Sequence, residues 1–189
     1  MKNKLLISIV LSSLLSVWAF AHGTEKHDDD KEMKPVKVEA PKKIKVDATK
    51  EEKKEHEEKK KKYEALQNKY KKINAQYLKD IKPIFEAKCF NCHSNTTNYP
   101  FYYKIPGVKT MIDKDIKEAK SHIDFSKDFP FISHETPLND LKSLKKIALE
   151  GGMPPLRYIV AHWDSKLSDE DKKAMLEWTE NAIELLGKD

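Results

Sequence analysis

The sequence predicts an all-α protein: a helical domain, preceded by a long charged helix and an N-terminal tether without structure of its own. Three observations carry this. Tyr63, Leu66, Tyr70, Ile73 and Tyr77 recur at spacings of three and four, the repeat of a single helix face. Ser168 with Asp171 reads as a capping box, and Gly151 closes an apolar periodic stretch, so helix punctuation is present at both kinds of end. The aromatic stretch around residues 99–103 does not alternate as a strand would.

Taken in order, residues 1–21 read as a signal peptide. Lys2 and Lys4 form its basic start, an apolar run follows from Leu5, and Ala19-Phe20-Ala21 is a small-x-small cleavage site. The apolar run is short of the ~20 residues that cross a bilayer, so export with no stable span after cleavage is expected. Residues 22–49 carry Asp28-Asp29-Asp30, Lys-Pro and Ala-Pro pairs and no apolar period. Burial could not offset the entropy of ordering them, and they read as a disordered tether. Residues 50–79 are the Lys- and Glu-rich amphipathic helix. Its stripe of tyrosines is a weak coiled-coil seam, so packing back on its own domain is the first expectation and self-association through the stripe from Tyr63 to Tyr77 the second.

The domain proper is expected over residues 80–189. Asp80 is read as the cap of a helix over 81–89 that tolerates Pro83 in its first turn and turns Ile84 and Phe85 inward. A turn-rich loop, the aromatic run and a break at Pro106-Gly107 follow. The next helix is expected over 110–122, with Ile112, Ile116, Ala119 and Ile123 on one side. Residues 125–137 read as irregular. A helix beginning at Asn139 or Asp140 buries Leu141, Leu144, Ile147 and Ala148 and stops at Gly151. The last helix, capped by Ser168, buries Ala174, Met175, Trp178, Ala182, Leu185 and Leu186 before Gly187.

The chemistry is concentrated in Cys89-Phe90-Asn91-Cys92-His93. Two thiols three residues apart, with a histidine directly after the second, is the spacing for haem c attachment, where each sulfur adds to a vinyl group and the histidine binds iron. One turn of helix puts both sulfurs on one face. A zinc site would need a distant further ligand and would use Cys92 and His93 side by side, which finger spacings avoid. A thioredoxin-like pair calls for a βαβ setting. The chain has two cysteines in all, so one covalent haem per chain uses both.

A second axial ligand is expected from Met153, sixty positions after His93, in a loop stiffened by Pro154-Pro155 and freed by Gly151-Gly152. The bland reading makes it core filler, as Met175 on its helix stripe reads. His122 is the main rival, with His134 and His162 behind it and Met111 the next methionine. Arg157 and Tyr158 are candidates for a haem propionate, although a surface ion pair explains Arg157 equally well. Tyr102, between Phe101 and Tyr103, is a candidate wall for the porphyrin edge or a member of the aromatic core.

Composition sets limits. Charged residues are 35% of the chain and the mean hydropathy is −0.74, too polar for one core over the whole length. The formal charge of +5 loses two with Lys2 and Lys4, leaving +3. Arg157 is the lone arginine, and no arginine-aromatic face for nucleic acid exists.

The chain resembles the bacterial haem-binding domain proteins of the cytochrome c class. The resemblance rests on Cys89-Phe90-Asn91-Cys92-His93-Ser94-Asn95, Tyr99-Pro100-Phe101-Tyr102, His122-Ile123-Asp124-Phe125-Ser126, Gly152-Met153-Pro154-Pro155, and Leu167-Ser168-Asp169-Glu170 leading to Trp178. It runs from about Ile81 to Ala182 and leaves the Lys-rich helix outside; Phe101 stands where tryptophan is common. It implies a small cytochrome c-like mono-haem fold ligated by His93 and Met153. The expected role is a periplasmic carrier of single electrons between acidic redox protein partners, not an enzyme, because bacterial peroxidases use a second haem. The alternative is a haem-based sensor or gas-binding module with a displaceable sixth ligand.

Overall fold

The computed structural model describes residues 39–43 and 48–187. The expected signal peptide and most of the tether lie outside the described residues. The fold is all-α with one minimal two-stranded ladder, in the order α1 (Lys50–Gln76), a π segment (Tyr77–Ile81), α2 (Lys82–Lys88), α3 (Phe90–His93), a 3-10 turn (Phe101–Lys104), α4 (Pro106–His122), β1 (Ile123–Asp124), β2 (Ile132–Ser133), α5 (Pro137–Glu150), α6 (Leu156–Ala161), a 3-10 turn (Trp163–Ser165) and α7 (Asp169–Gly187).

Helix α1 starts where Thr49 and Glu52 form a reciprocal capping box, which satisfies two amides that the first turn leaves without partners. Its charged first half is exposed, while the stripe sinks progressively: Tyr70 and Ile73 are buried and Tyr77 is fully enclosed. The Trp178 indole donates to the Ile73 carbonyl at 3.3 Å, and α1 packs on α7. The stripe is therefore spent on its own domain, as first expected, and of its members Tyr63 and Leu66 keep partial exposure.

The boundary expected at Asp80 is not a break in the chain. The helix continues through the π segment into α2, whose N-cap position is Ile81 with no side-chain cap, so Asp80 does not cap it. The widened turn rotates the apolar face so that Tyr77, Ile81 and Phe85 all point into one core. Around them lie Phe125, Phe129, Phe131, Leu141, Leu144, Met175 and Trp178. Most rings meet edge-on or tilted, as Tyr77 with Phe131 at 5.2 Å and Phe85 with Phe125 at 4.8 Å, while Phe85 and Phe131 stack at 6.2 Å, geometries that ring quadrupoles favour over a face-to-face sandwich. The irregular 125–137 segment thus supplies three core phenylalanines, while Phe101 is 91% exposed and Tyr102 and Tyr103 are half-buried. The aromatic core lies away from the 101–103 run.

Several boundaries shift toward proline. Helix α4 begins with Pro106 instead of after a break, and α5 begins with Pro137 on the Thr136 cap, not at Asn139 or Asp140. Proline is suited to a first turn, where its missing N–H costs no bond. Helix α5 ends as expected at Gly151, whose φ of 81° favours glycine. Ser168 and Asp171 cap α7 reciprocally at 2.9 and 3.0 Å. The ladder pairs Ile123 with Ser133 and Asp124 with Ile132, antiparallel. Neither it nor α6 was visible in the periodicity, because two-residue strands and six-residue helices are shorter than any repeat.

Candidate haem site

Cys89 stands at the joint between α2 and α3, and the pentapeptide makes a single helical turn: the amides of Cys92 and His93 both donate to the Cys89 carbonyl, at 3.1 and 3.0 Å. Both cysteines are free and half-buried. Burial pushes the Cys89 thiol up to about 12, with the nearby Cys92 and Asp171 adding to it. Cys92 is raised by burial and then by Asp115, against a lowering from Arg157. Reactive thiolates need the opposite setting, so the pair is poorly placed for dithiol exchange. Among the described residues no group of three or more His, Cys, Asp or Glu is placed to hold a metal ion.

His93 is clamped from both ends. Its Nδ1 lies 2.9 Å from the Ile123 carbonyl, and its own carbonyl accepts the Phe125 amide at 2.7 Å. The ring lies 5.5 Å from that of Phe125. Burial lowers its pKa and His122 lowers it further, opposed by the Ile123 and Ala119 carbonyls and by Asp124, a balance that favours the neutral imidazole. A neutral ring that donates from Nδ1 carries its lone pair on Nε2, the orientation and tautomer of a metal-ligating histidine.

Helices α3, α4 and α6 converge on Cys92. Asn91, between the two cysteines, donates to the Tyr158 hydroxyl at 3.1 Å and accepts the Asn98 amide at 2.9 Å. Arg157 pairs with Asp115 across α6 and α4 at 2.8 Å. No residue of these three helices is fully buried, although α4 carries the expected stripe of Ile112, Ile116 and Ala119, each half-buried. Met111 on α4, Leu156 and Val160 on α6, and Ile105 just before α4 are each more than half exposed. Two thiols on one turn, an imidazole with Nε2 as its acceptor and unfilled apolar helix faces beside them suit a flat apolar macrocycle. The residues present fit a haem.

The other expected site residues fall as follows. Met153 is 43% exposed in the 151–155 segment, which has positive φ at Gly151 and Gly152 and leads directly into α6. His122 immediately precedes Ile123, and its ring lies 6.1 Å from that of His134 between ring centres. His162 has both nitrogens engaged: Nδ1 lies 3.1 Å from the Tyr158 carbonyl and Nε2 lies 3.0 Å from the Tyr102 hydroxyl. Tyr102 thus ties the 101–104 turn to the end of α6, and Arg157 is already held by Asp115. The Ile123 carbonyl, which aims His93, had no signature in the sequence because any residue supplies one. Asn91 could have been found from its place between the cysteines.

Comparison with known proteins agrees with this geometry. The chain is 33% identical over 95 residues to the cytochrome c peroxidase Ccp of Escherichia coli (strain K12), a match covering 49% of this chain and 20% of that protein. The chain therefore spans about a fifth of the length of that curated relative. No solved structure matches. The haem-binding domain family matches residues 50–181, which brings α1 inside the family region that the resemblance by motif had left it out of. With more than half of its length matched, the chain belongs to the haem-binding domain family.

Proposed function

We propose that this haem protein is an exported mono-haem c-type cytochrome, working in the periplasm as a carrier of single electrons between acidic redox protein partners. The haem supplies a one-electron iron couple when bound. Cys89 and Cys92 would hold it through thioethers, and His93 Nε2 and Met153 would supply the donors to its iron. The Ile123 carbonyl fixes the His93 ring, and the apolar faces of α4 and α6 exclude water from the site, which favours the less charged reduced form. The single observation carrying this reading is the Nδ1–H···O bond from His93 to Ile123, directly behind two thiols on one helical turn.

The test is to purify the secreted protein and treat it with acidified acetone. Colour retained in the precipitate, at one haem per chain, is the expected result; pigment leaving into the solvent overturns covalent attachment. Electron transfer to an acidic partner should slow as salt is added, and a rate indifferent to ionic strength removes the acidic-partner reading.

A second reading has support of its own. The relative is titled a peroxidase, and Met153 is partly exposed, as a displaceable ligand would be. Rapid carbon monoxide binding by the reduced protein, with peroxide turnover above that of free haem, favours an enzyme. Rapid carbon monoxide binding without turnover favours the gas-binding sensor, and refusal of the gas favours the carrier.

A further inference from the structure

We infer that Ser133 and Asp140 are positioning residues for the iron ligand, holding the β1 strand so that the Ile123 carbonyl meets His93 Nδ1. The inference rests on the reading of His93 as an axial ligand and deepens it.

The chain of contacts is continuous. Ser133 sits directly opposite Ile123 in the ladder and is 1% exposed. Its hydroxyl oxygen lies 2.8 Å from Asp140 Oδ1 and 3.2 Å from the His122 carbonyl, and it accepts the Glu135 amide at 3.0 Å. A hydroxyl has one proton. The shorter, charge-assisted contact to Asp140 takes it, which fixes the Ser133 side chain and with it the strand facing Ile123. Next door, His134 Nδ1 lies 3.0 Å from the Ser121 carbonyl. The Ser121 carbonyl, among the last of α4 and left without a partner by the helix itself, is thus held by the residue that follows β2, immediately before the chain turns to present Ile123.

Asp140 itself calls for an explanation. It is 4% exposed, and its Oδ2 has no hydrogen-bond partner. A buried carboxylate with an orphan oxygen is costly, and an apolar residue would pack α5 without that cost. What the carboxylate gains is a fixed acceptor for Ser133. Loosening that contact lets the Ile123 carbonyl drift from His93, weakens the Nδ1–H bond and leaves the imidazole a poorer donor to iron.

The test compares Ser133→Ala and Asp140→Asn with the parent holoprotein. Thr179→Val serves as control, since it also deletes a buried hydroxyl, the one bonded to the Met175 carbonyl in α7. The readouts are the reduction potential and the solvent exchange of the His93 Nδ1 proton. Ser133→Ala should move the potential upward and speed that exchange roughly tenfold, the loss of about one hydrogen bond; Thr179→Val should lower stability and move neither. Asp140→Asn keeps an acceptor without the charge, so Asp140→Leu, which removes the acceptor at similar volume, is decisive if Ser133→Ala does not accumulate: a faster Nδ1 exchange supports the inference, and parental exchange refutes it. Potentials and exchange rates equal to the parent, alongside lower stability, reduce the pair to a structural role and overturn the inference while leaving the proposed function standing. A parent that binds no haem through His93 overturns both.

Discussion

The indole of Trp178 donates to the carbonyl of Ile73 at 3.3 Å, so the last helix of the domain is bonded to the last turn of the charged first one. A helix that looks like a separate solvated rod is a wall of the core. Ile73 is 2% exposed and Trp178 1%. Ile73→Ala is expected to cost about 2–5 kcal/mol and Trp178→Ala about 3–5 kcal/mol, read as lower midpoints in chemical denaturation. Lys-to-Ala changes over residues 53–62 should stay within about 0.5 kcal/mol. Equal effects in the two halves of α1 would contradict the packing.

Asp140 gives the fold a pH dependence with a definite sign. Burial raises its carboxyl from 3.8 to about 6, against the lowering bond from Ser133. The folded chain therefore holds this proton more tightly than the unfolded one. Its contribution is fully present below about pH 4 and is lost as pH rises through about 6. Asp140→Asn should flatten that fall and gain on the order of 2 kcal/mol at neutral pH, less whatever the Ser133 contact loses. Denaturation midpoints across this window check it, and an unchanged slope refutes it.

Met153→Ala should abolish the near-infrared sulfur-to-iron band of the oxidised protein and open the reduced form to carbon monoxide. A band that survives points to another methionine, Met111 first. Fully parental spectra with no such band in either protein remove Met153 from the iron.

Removing either thiol should leave one covalent link. Cys89→Ser and Cys92→Ser are each expected to keep colour through acidified acetone with a shifted pyridine haemochrome band, while the double variant releases all of it. Single variants that release the pigment completely would show that the second thiol does not attach by itself.

Tyr102→Phe removes the bond to His162 Nε2 and should destabilise the protein by about 1 kcal/mol. If Tyr102 instead lined the porphyrin through its hydroxyl, the absorption spectrum would change with little loss of stability.

The residues themselves determined the helical class, the single turn that carries Cys89, Cys92 and His93, the Gly151 stop and the Ser168 cap, because each is written in spacings of at most four residues along one chain. Covalent geometry and helix periodicity decide such features locally. The π segment that rotates Tyr77, Ile81 and Phe85 into a common core was a matter for tertiary packing, which outweighs the poorer hydrogen bonds of a widened turn. So was the use of Phe125, Phe129 and Phe131 as core while Phe101 faces solvent, since aromatic content alone does not say which ring finds neighbours. The aim of His93 belonged to the tertiary structure most completely. It depends on a backbone carbonyl delivered by a two-residue ladder from elsewhere in the chain, and a carbonyl has no identity until folding gives it a place.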